Sequence, residues 1–214
     1  MKYIDKIEIM LLETTIEEGV FGSDELSSIE TDIMNQCTTK EHSSNNGKLY
    51  GNNHQWDFYN DNAKDIRNKL EKHIPSDTRV ARSHILESFY PYEIHTDVNH
   101  SGSSSNPQYT FIIPLEDYES ETFVFNEYAT GTNEFEDFKT NYTGEKKLRI
   151  PKDKVLSLTH IHPKDIMYLS LKETFAWNKG SIFGFDRKYF HCSDNYMRSG
   201  LKSKRAIILW TDEK

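Results

Sequence analysis

Cysteine is scarce in this 214-residue chain, which contains only Cys37 and Cys192. The two lie far apart in the sequence, so no disulfide framework is indicated, and we expect a reduced, cytoplasmic protein. Long apolar runs are also missing: none would span a bilayer, and the first residues lack the uninterrupted apolar core of a signal peptide. We therefore expect neither a secreted protein nor a membrane protein.

Positive charge is in short supply as well. Lys and Arg total 26 against 34 Asp and Glu, which gives a formal net charge of -8 at pH 7. Proteins that bind nucleic acids need clustered cations, so this balance argues against nucleic acid as a partner. The abundance of Asn, Lys and Tyr is typical of AT-rich genomes, so an origin in a virus acting in host cytoplasm is one expectation. Oligomeric state is left open.

Two amphipathic segments precede a β-rich remainder. The stretch 23–34 begins with an N-cap candidate followed by acids, and 61–74 spaces its apolar residues three and four apart, so both predict helices. The Ser-, Asn- and Gly-rich stretch 38–53 predicts a loop. Strand patterns occupy 3–12, 78–90, 108–115 and 121–125. The predicted fold class is mainly β with flanking α-helices, and a chain of this length often folds as one domain.

The most informative motif is His95-Thr96-Asp97. Residues two apart in a strand point to the same face, so His95 and Asp97 are placed to bind one ion together, with His191 as a third ligand from a neighbouring strand. Two histidines and one carboxylate form a facial triad, which holds ferrous iron and leaves the opposite positions open for a cosubstrate and dioxygen. The alternative is a solvated turn in which the motif arose by chance, since the chain has nine histidines.

A cation begins the last apolar strand. Lys204 and Arg205 precede the run 206–210, and a buried charge at that point needs an anionic partner or access to solvent. A ligand carboxylate would satisfy it. Side chains alternate along a strand, so only one of the two cations faces the protein interior.

Together these motifs resemble those of the Fe(II)/2-oxoglutarate-dependent oxygenases. The shared order is His-x-Asp, then Gly184-Phe185-Asp186 before a histidine, then a basic residue that starts the last apolar strand. The stretches 191–195 and 204–207 look especially like the phytanoyl-CoA-dioxygenase and prolyl 4-hydroxylase branches. The resemblance covers roughly residues 78–211.

This resemblance implies a double-stranded β-helix, a jelly-roll or cupin-like barrel of two facing sheets. Its core would span 78–211, with 1–77 as supporting strand and helices, in a single oxygenase domain covering 1–214. The polar stretch 126–164 is then an insertion that is long for a connection, and we expect it to act as a lid.

The resemblance also assigns roles to residues. His95, Asp97 and His191 would bind Fe(II), and Lys204 would pair with the distal carboxylate of 2-oxoglutarate. Arg205 is the competing cation and Lys202 the third candidate. Further candidates to donate a hydrogen bond to 2-oxoglutarate are Tyr90, Tyr92, Tyr109 and Thr110.

The implied activity is hydroxylation of a C–H bond in a small molecule or a peptidyl residue, with dioxygen consumed and succinate and CO2 released. Family members that halogenate replace the acid that Asp97 retains, so hydroxylation is preferred. Two alternatives stay open. One is a cupin-like metalloprotein that uses His160, His162 and His191, and the other is a non-enzymatic β-sandwich module for binding or structure.

Overall fold

A computed structural model describes residues 12–36, 39–42, 53–58, 63–98, 107–129 and 135–214. Almost all of the strand predicted over 3–12 therefore lies outside the described residues, as do residues 43–52 of the predicted loop. In the part of the chain that is described, no helix has the length and apolar character needed to cross a membrane.

Two helices lie in the N-terminal part of the chain. Helix α1 spans Ser23–Gln36 and α2 spans Lys64–Leu70, with a short 3-10 helix over Glu71–His73. Their apolar faces are buried in one cluster with residues of the adjoining sheet such as Ile85 and Ile207. Both predicted helices are confirmed, because the three-and-four spacing of apolar residues gives each helix one side to bury.

Within the described residues, ten strands form two antiparallel sheets. The strands are β1 (Thr15–Glu17), β2 (Thr39–His42), β3 (Asn53–Asp57), β4 (Thr78–Ser88), β5 (Pro107–Pro114), β6 (Tyr118–Tyr128), β7 (Leu171–Trp177), β8 (Ile182–Asp186), β9 (Tyr189–Ser193) and β10 (Lys204–Glu213). The large sheet has the order β1-β8-β5-β10-β4-β3-β2, and the small sheet has the order β7-β6-β9. The mainly β prediction is confirmed.

From β4 onward the chain passes back and forth between the sheets. Strands β4, β5, β8 and β10 belong to the large sheet, whereas β6, β7 and β9 belong to the small one. An antiparallel bridge between His95 and His191 places the segment after β4 beside β9, at the edge of the small sheet. The inner faces of the two sheets meet in an aromatic and aliphatic core, in which Phe175 and Phe183 stack with ring centroids 4.7 Å apart.

Strand β2 corrects the prediction of a loop over 38–53. Residues Thr39–His42 pair antiparallel with β3 at the edge of the large sheet. These four residues are polar or charged and show no apolar alternation, so the backbone ladder with β3 is what defines them as a strand. A pattern-based prediction has no signal to detect there.

The insertion at 126–164 contributes three short helices and part of a hydrophobic cluster. Helices α3 (Phe135–Asn141), α4 (Lys152–Val155) and α5 (Pro163–Ile166) lie in or at the end of this stretch. Phe135, Leu158 and Ile166 pack against Phe123 and Phe190 of the small sheet. Alternation along β6 and β9 turns these sheet residues away from the facing sheet. The described part of the insertion thus covers the outer face of the small sheet.

We predict that Phe190→Ala destabilises the protein strongly. The Phe190 ring is fully buried, and its centroid lies 5.2 Å from that of Phe135 and 5.0 Å from that of Phe138. Truncation of a buried phenylalanine costs about 3–5 kcal/mol, which urea unfolding would measure as a lower free energy of unfolding. Leu156→Ala is the control, because Leu156 is 65% exposed. Equal effects of the two substitutions would contradict the packing of the insertion on the sheet.

Candidate metal centre

The segment around His95 is held against β9 by backbone hydrogen bonds. The His95 N–H donates to the carbonyl of His191 at 3.0 Å, and the His191 N–H donates to the carbonyl of His95 at 2.9 Å. Farther along, the Asp97 N–H donates to the carbonyl of Arg187 at 3.1 Å. This pairing sets the two imidazoles side by side, with ring centroids 4.2 Å apart.

Three potential ligand atoms converge at this point. Nε2 of His191 lies 3.5 Å from Oδ2 of Asp97, and Nε2 of His95 lies 3.9 Å from Oδ1. One ligand atom from each residue lies within 4.8 Å of the others, and no second cluster of His, Cys, Asp and Glu with this property occurs among the described residues. The structure therefore brings together the three residues that the sequence analysis singled out.

The histidines are oriented by backbone carbonyls. Nδ1 of His95 lies 2.7 Å from the carbonyl of Glu93, and Nδ1 of His191 lies 3.1 Å from the carbonyl of Tyr189. When Nδ1 donates to such a carbonyl, the Nε2 lone pair is left for a metal. Burial, together with the neighbouring His191, lowers the pKa of His95 to about 4. His95 is consequently neutral near pH 7, which is the form of imidazole that binds metals.

The Asp97 carboxylate is held by a hydroxyl of the large sheet. Thr110 in β5 donates from Oγ1 to Oδ2 of Asp97 at 2.6 Å, and both side chains are buried. A ligating carboxylate with such a partner keeps its orientation when a metal arrives or leaves. Thr110 was named in the sequence analysis as a hydrogen-bond donor to 2-oxoglutarate, whereas here its hydroxyl is directed at Asp97.

Arg187 is a functional candidate that the sequence analysis missed. Its side chain is fully buried, and Nη2 donates to the backbone carbonyl of Asp97 at 2.5 Å. The guanidinium also lies over the indole of Trp210, 5.6 Å from the ring centroid. Burial lowers the pKa of Arg187. Its contact with Asp97 is a charge-assisted bond that fixes the backbone of a potential ligand residue.

The His95–Asp97–His191 cluster lines a cavity of about 570 Å³ between the two sheets. This volume lies within the range of small-molecule sites, roughly 300–1,000 Å³. Its walls combine apolar side chains, such as those of Leu86 and Ile208, with polar ones, such as Gln55, Arg82 and His84. None of the described residues of 126–164 is among those that line it, and the expected role of the insertion as a lid stays a prediction.

Lys204 also lines this cavity. Its side chain is 3% exposed, and Nζ donates to Oγ of Ser120 at 2.9 Å and lies 3.7 Å from the ring centroid of Trp177. Burial lowers the pKa of Lys204 to about 7, although the nearby carboxylate of Asp194 opposes the shift. The cavity thus contains a lysine amine that is protonated in only part of the molecules at neutral pH.

The other two candidate cations lie elsewhere. Arg205 is not part of the cavity wall, and it forms ion pairs with Glu30 at 2.8 Å and Glu116 at 2.7 Å. Lys202 precedes β10 and is exposed. Of the three candidates, Lys204 alone lines the cavity, because alternation along β10 directs it inward and Arg205 outward.

Tyr109 is a correction to the predicted site. It packs beside Phe111 in the cluster that includes α1, with ring centroids 5.1 Å apart. The cavity is lined instead by Thr110 and Ile112 of the same strand. Tyr109 therefore does not reach the cavity, and we do not retain it as a residue that contacts a cosubstrate. Of the remaining tyrosines, Tyr92 lines the cavity.

The cupin-like alternative is not supported by the positions of its histidines. Nε2 of His160 contacts the carbonyl of Tyr92 at 3.1 Å. His162 precedes α5, where its Nδ1 accepts a hydrogen bond from the N–H of Lys164 at 3.2 Å. Neither residue joins His191 in the cluster of potential ligands. Pro163 directly follows His162 and begins helix α5.

Comparison with known proteins identifies the fold. No protein-family profile matches the sequence, and no curated protein sequence matches it. HygX from Streptomyces hygroscopicus, solved with nickel and 2-oxoglutarate bound, is 13% identical with a TM-score of 0.53, over 94% of this chain and 83% of HygX. An oxidoreductase of the 2OG-Fe(II) oxygenase family from Burkholderia pseudomallei is 10% identical with a TM-score of 0.54, over 93% and 84%.

A third similar structure is the epimerase SnoN in complex with Fe3+, alpha ketoglutarate and nogalamycin RO. It is 12% identical with a TM-score of 0.54, over 94% of this chain and 78% of SnoN. These three proteins share the fold of the Fe(II)/2-oxoglutarate oxygenases with this chain. The assignment to the phytanoyl-CoA-dioxygenase or prolyl 4-hydroxylase branch stays a prediction.

Proposed function

We propose that the protein is an Fe(II)- and 2-oxoglutarate-dependent dioxygenase. The observation that carries this proposal is one cavity that contains both a His-Asp-His cluster and a buried lysine. We also infer that the alternation of β4 to β10 between two facing sheets is a double-stranded β-helix, and that the whole chain forms one oxygenase domain.

The donor set of the cluster fits ferrous iron. Two imidazole nitrogens and one carboxylate oxygen, from His95, His191 and Asp97, are the ligands of a facial triad, which leaves the remaining positions open. Here those positions would face the cavity. When bound there, iron with 2-oxoglutarate and dioxygen supplies an oxidation that releases succinate and CO2. The chain's own contribution is to hold the ligands in place through Thr110 and Arg187.

The position of Lys204 supports 2-oxoglutarate as the cosubstrate. In β6, Ser120 contacts Lys204, and Val124 is the partner of His191 in the ladder. Four residues of strand span at most about 13 Å, because β6 is irregular between Tyr118 and Glu121. Two side chains projecting from the ends of that span leave room for a five-carbon diacid between the lysine and the metal. In this arrangement Lys204 would bind the distal carboxylate with a charge-assisted hydrogen bond.

We further propose a small-molecule substrate and a hydroxylation reaction. The cavity lies between two sheets and has a volume of about 570 Å³, which suits a compact substrate. Its polar wall, which includes Gln55 and Arg82, would contact such a molecule. Asp97 is present as the carboxylate ligand, so no position is vacated for a halide. The structurally similar SnoN is itself described with a small molecule, nogalamycin RO.

Anaerobic titration of the Fe(II)-loaded protein with 2-oxoglutarate tests the cofactor pair. We expect a weak visible charge-transfer band when 2-oxoglutarate binds iron at an open facial-triad site. The same titration of Zn(II)-loaded protein should give no band. If iron is bound but neither the band nor succinate formation in air is detected, the oxygenase proposal is wrong, and a non-enzymatic binding module becomes the better interpretation.

A further inference from the structure

Lys204 lies in a closely packed environment that several elements contribute. Ser88 in β4 is its direct ladder partner. Nζ lies 3.7 Å from the ring centroid of Trp177 and 5.0 Å from that of Tyr196. These aromatic faces favour the cation, but they do not replace the water that burial removes. A buried ammonium in this setting needs an anion to stay charged.

The anion is the carboxylate of Asp194, which is connected to Lys204 through a hydroxyl. Nζ of Lys204 donates to Oγ of Ser120 at 2.9 Å, and that hydroxyl donates to Oδ1 of Asp194 at 2.7 Å. The direct distance from Nζ to Oδ1 is 3.9 Å. Asp194 is 8% exposed, and its backbone N–H donates to the carbonyl of Glu121 at 3.0 Å. Asp194 is thus anchored behind the lysine rather than in the cavity wall.

We propose that Asp194 is a positioning residue for the cosubstrate, which holds the Lys204 ammonium charged and, through Ser120, directed into the cavity where the distal carboxylate of 2-oxoglutarate binds. This inference rests on the proposed function. Asp194 itself contacts neither the cosubstrate nor the metal. Asp194 therefore affects cosubstrate binding only by its influence on the charge and direction of Lys204.

The other titratable groups near Lys204 do not supply this charge. Burial raises the pKa of the Cys192 thiol and of the Tyr196 phenol, so both are neutral near pH 7. Burial lowers the pKa of His160, and the charges of Asp194 and Lys204 act on that pKa in opposite directions. Among the described residues, Asp194 is the carboxylate found within 4 Å of the lysine nitrogen. Loss of its charge should therefore favour the neutral form of Lys204.

Asp194 has two opposing effects on 2-oxoglutarate binding, and pH separates them. At low pH Lys204 is charged with or without Asp194, so the main effect of the carboxylate is repulsion of the incoming dianion. At high pH the carboxylate keeps a larger fraction of Lys204 protonated, which favours binding. A residue that only supports the local fold would weaken binding by a similar factor at every pH.

The test is Asp194→Asn, which keeps an oxygen to accept the hydrogen bond of Ser120 but removes the charge. The Kd of 2-oxoglutarate for the Fe(II)-loaded full chain would be measured by anaerobic calorimetry at about pH 6 and about pH 8.5. We expect Asp194→Asn to bind within about twofold of wild type at the lower pH, and about tenfold more weakly at the higher pH, since a shift of one pKa unit changes the charged fraction tenfold. Titration in two buffers of different ionisation enthalpy should show greater proton uptake by the variant at the lower pH, where Lys204 of wild type is already largely protonated before 2-oxoglutarate binds.

Three further variants serve as controls. Glu119→Gln removes an exposed acid from the same strand as Ser120, and its Kd should follow that of wild type at both pH values. Asp194→Glu restores the charge and should recover part of the binding at high pH. Ser120→Ala keeps the carboxylate and removes the bridge, so it should shift Kd in the same direction as Asp194→Asn but less. That variant also keeps the proposal testable if Asp194→Asn does not fold.

The outcomes distinguish this inference from the function on which it rests. If Asp194→Asn and wild type give a constant ratio of Kd across pH, or if the variant binds more tightly at high pH, Asp194 is not a positioning residue and the oxygenase proposal is unaffected. If wild type itself binds no 2-oxoglutarate at any pH, the proposed function fails and this inference is withdrawn with it.

Discussion

Iron retention is expected to fall at least about a hundredfold in His191→Ala, because a three-ligand site that loses one protein ligand keeps only two. The same loss is expected for Asp97→Asn. That substitution preserves an oxygen for the hydrogen bond from Thr110 and removes only the negative charge. The measurement is iron content after anaerobic loading and dialysis, with circular dichroism to confirm that each variant is folded.

His160→Ala is the matched control for this prediction. It removes an imidazole that lies outside the cluster of potential ligands, where its Nε2 contacts the carbonyl of Tyr92. We expect it to retain iron at the wild-type level. Loss of iron in His160→Ala, with normal iron in Asp97→Asn, would instead favour the cupin-like site, which shares His191, and would contradict the assignment made here.

The pairing of His95 with Asp97 could be predicted because its information is local. Two residues spaced as His95 and Asp97 are on one face of any strand, whatever the rest of the fold. His191 is far away in the sequence, so its place beside the pair was a hypothesis that no local pattern could establish and that the resemblance to a known family supported. In the structure a backbone bridge between His95 and His191 makes that connection.

The groups that support the cluster could not be predicted in this way. Arg187 donates to a backbone carbonyl, which every residue has, so nothing in the sequence marks its partner. Ser120, Asp194 and Lys204 meet only because β6, β9 and β10 are brought together by two sheets. Contacts at such separations leave no periodic pattern in the chain.

Strand β5 shows why the sequence did not always indicate which face of a strand a side chain occupies. Tyr109 and Phe111 face one side, whereas Thr110 and Ile112 face the other. Because one side meets the helical layer and the other meets the cavity, both are largely apolar, and hydrophobic alternation is absent. In β10 the same ambiguity concerned Lys204 and Arg205. There the ladder with β4 and the ion pairs of Arg205 decide the direction.

Lys204→Met is expected to raise the Kd of 2-oxoglutarate about a hundredfold at neutral pH, since truncation of one partner of a buried charge pair costs roughly 2–5 kcal/mol. The matched control is Lys202→Met, the same substitution at an exposed lysine, which should leave the Kd within about twofold of wild type. The Kd would be taken from the anaerobic titration. A normal Kd in Lys204→Met together with a raised Kd in Arg205→Gln would show that β10 presents its other face to the cosubstrate.

The stability of the same variant gives an independent check that needs no cosubstrate. The pKa of Lys204 is lowered from 10.5 to about 7 by burial in the folded protein. Between these two pH values the unfolded chain binds a proton at this lysine that the folded protein does not. The contribution of Lys204 therefore increases the wild-type free energy of unfolding as pH rises through that window. Lys204→Met should lack this gain, and urea unfolding at several pH values would show a flatter profile. An identical pH profile in both proteins would mean that Lys204 keeps its ordinary pKa, and that it is more hydrated than its burial between Trp177 and Ser120 implies.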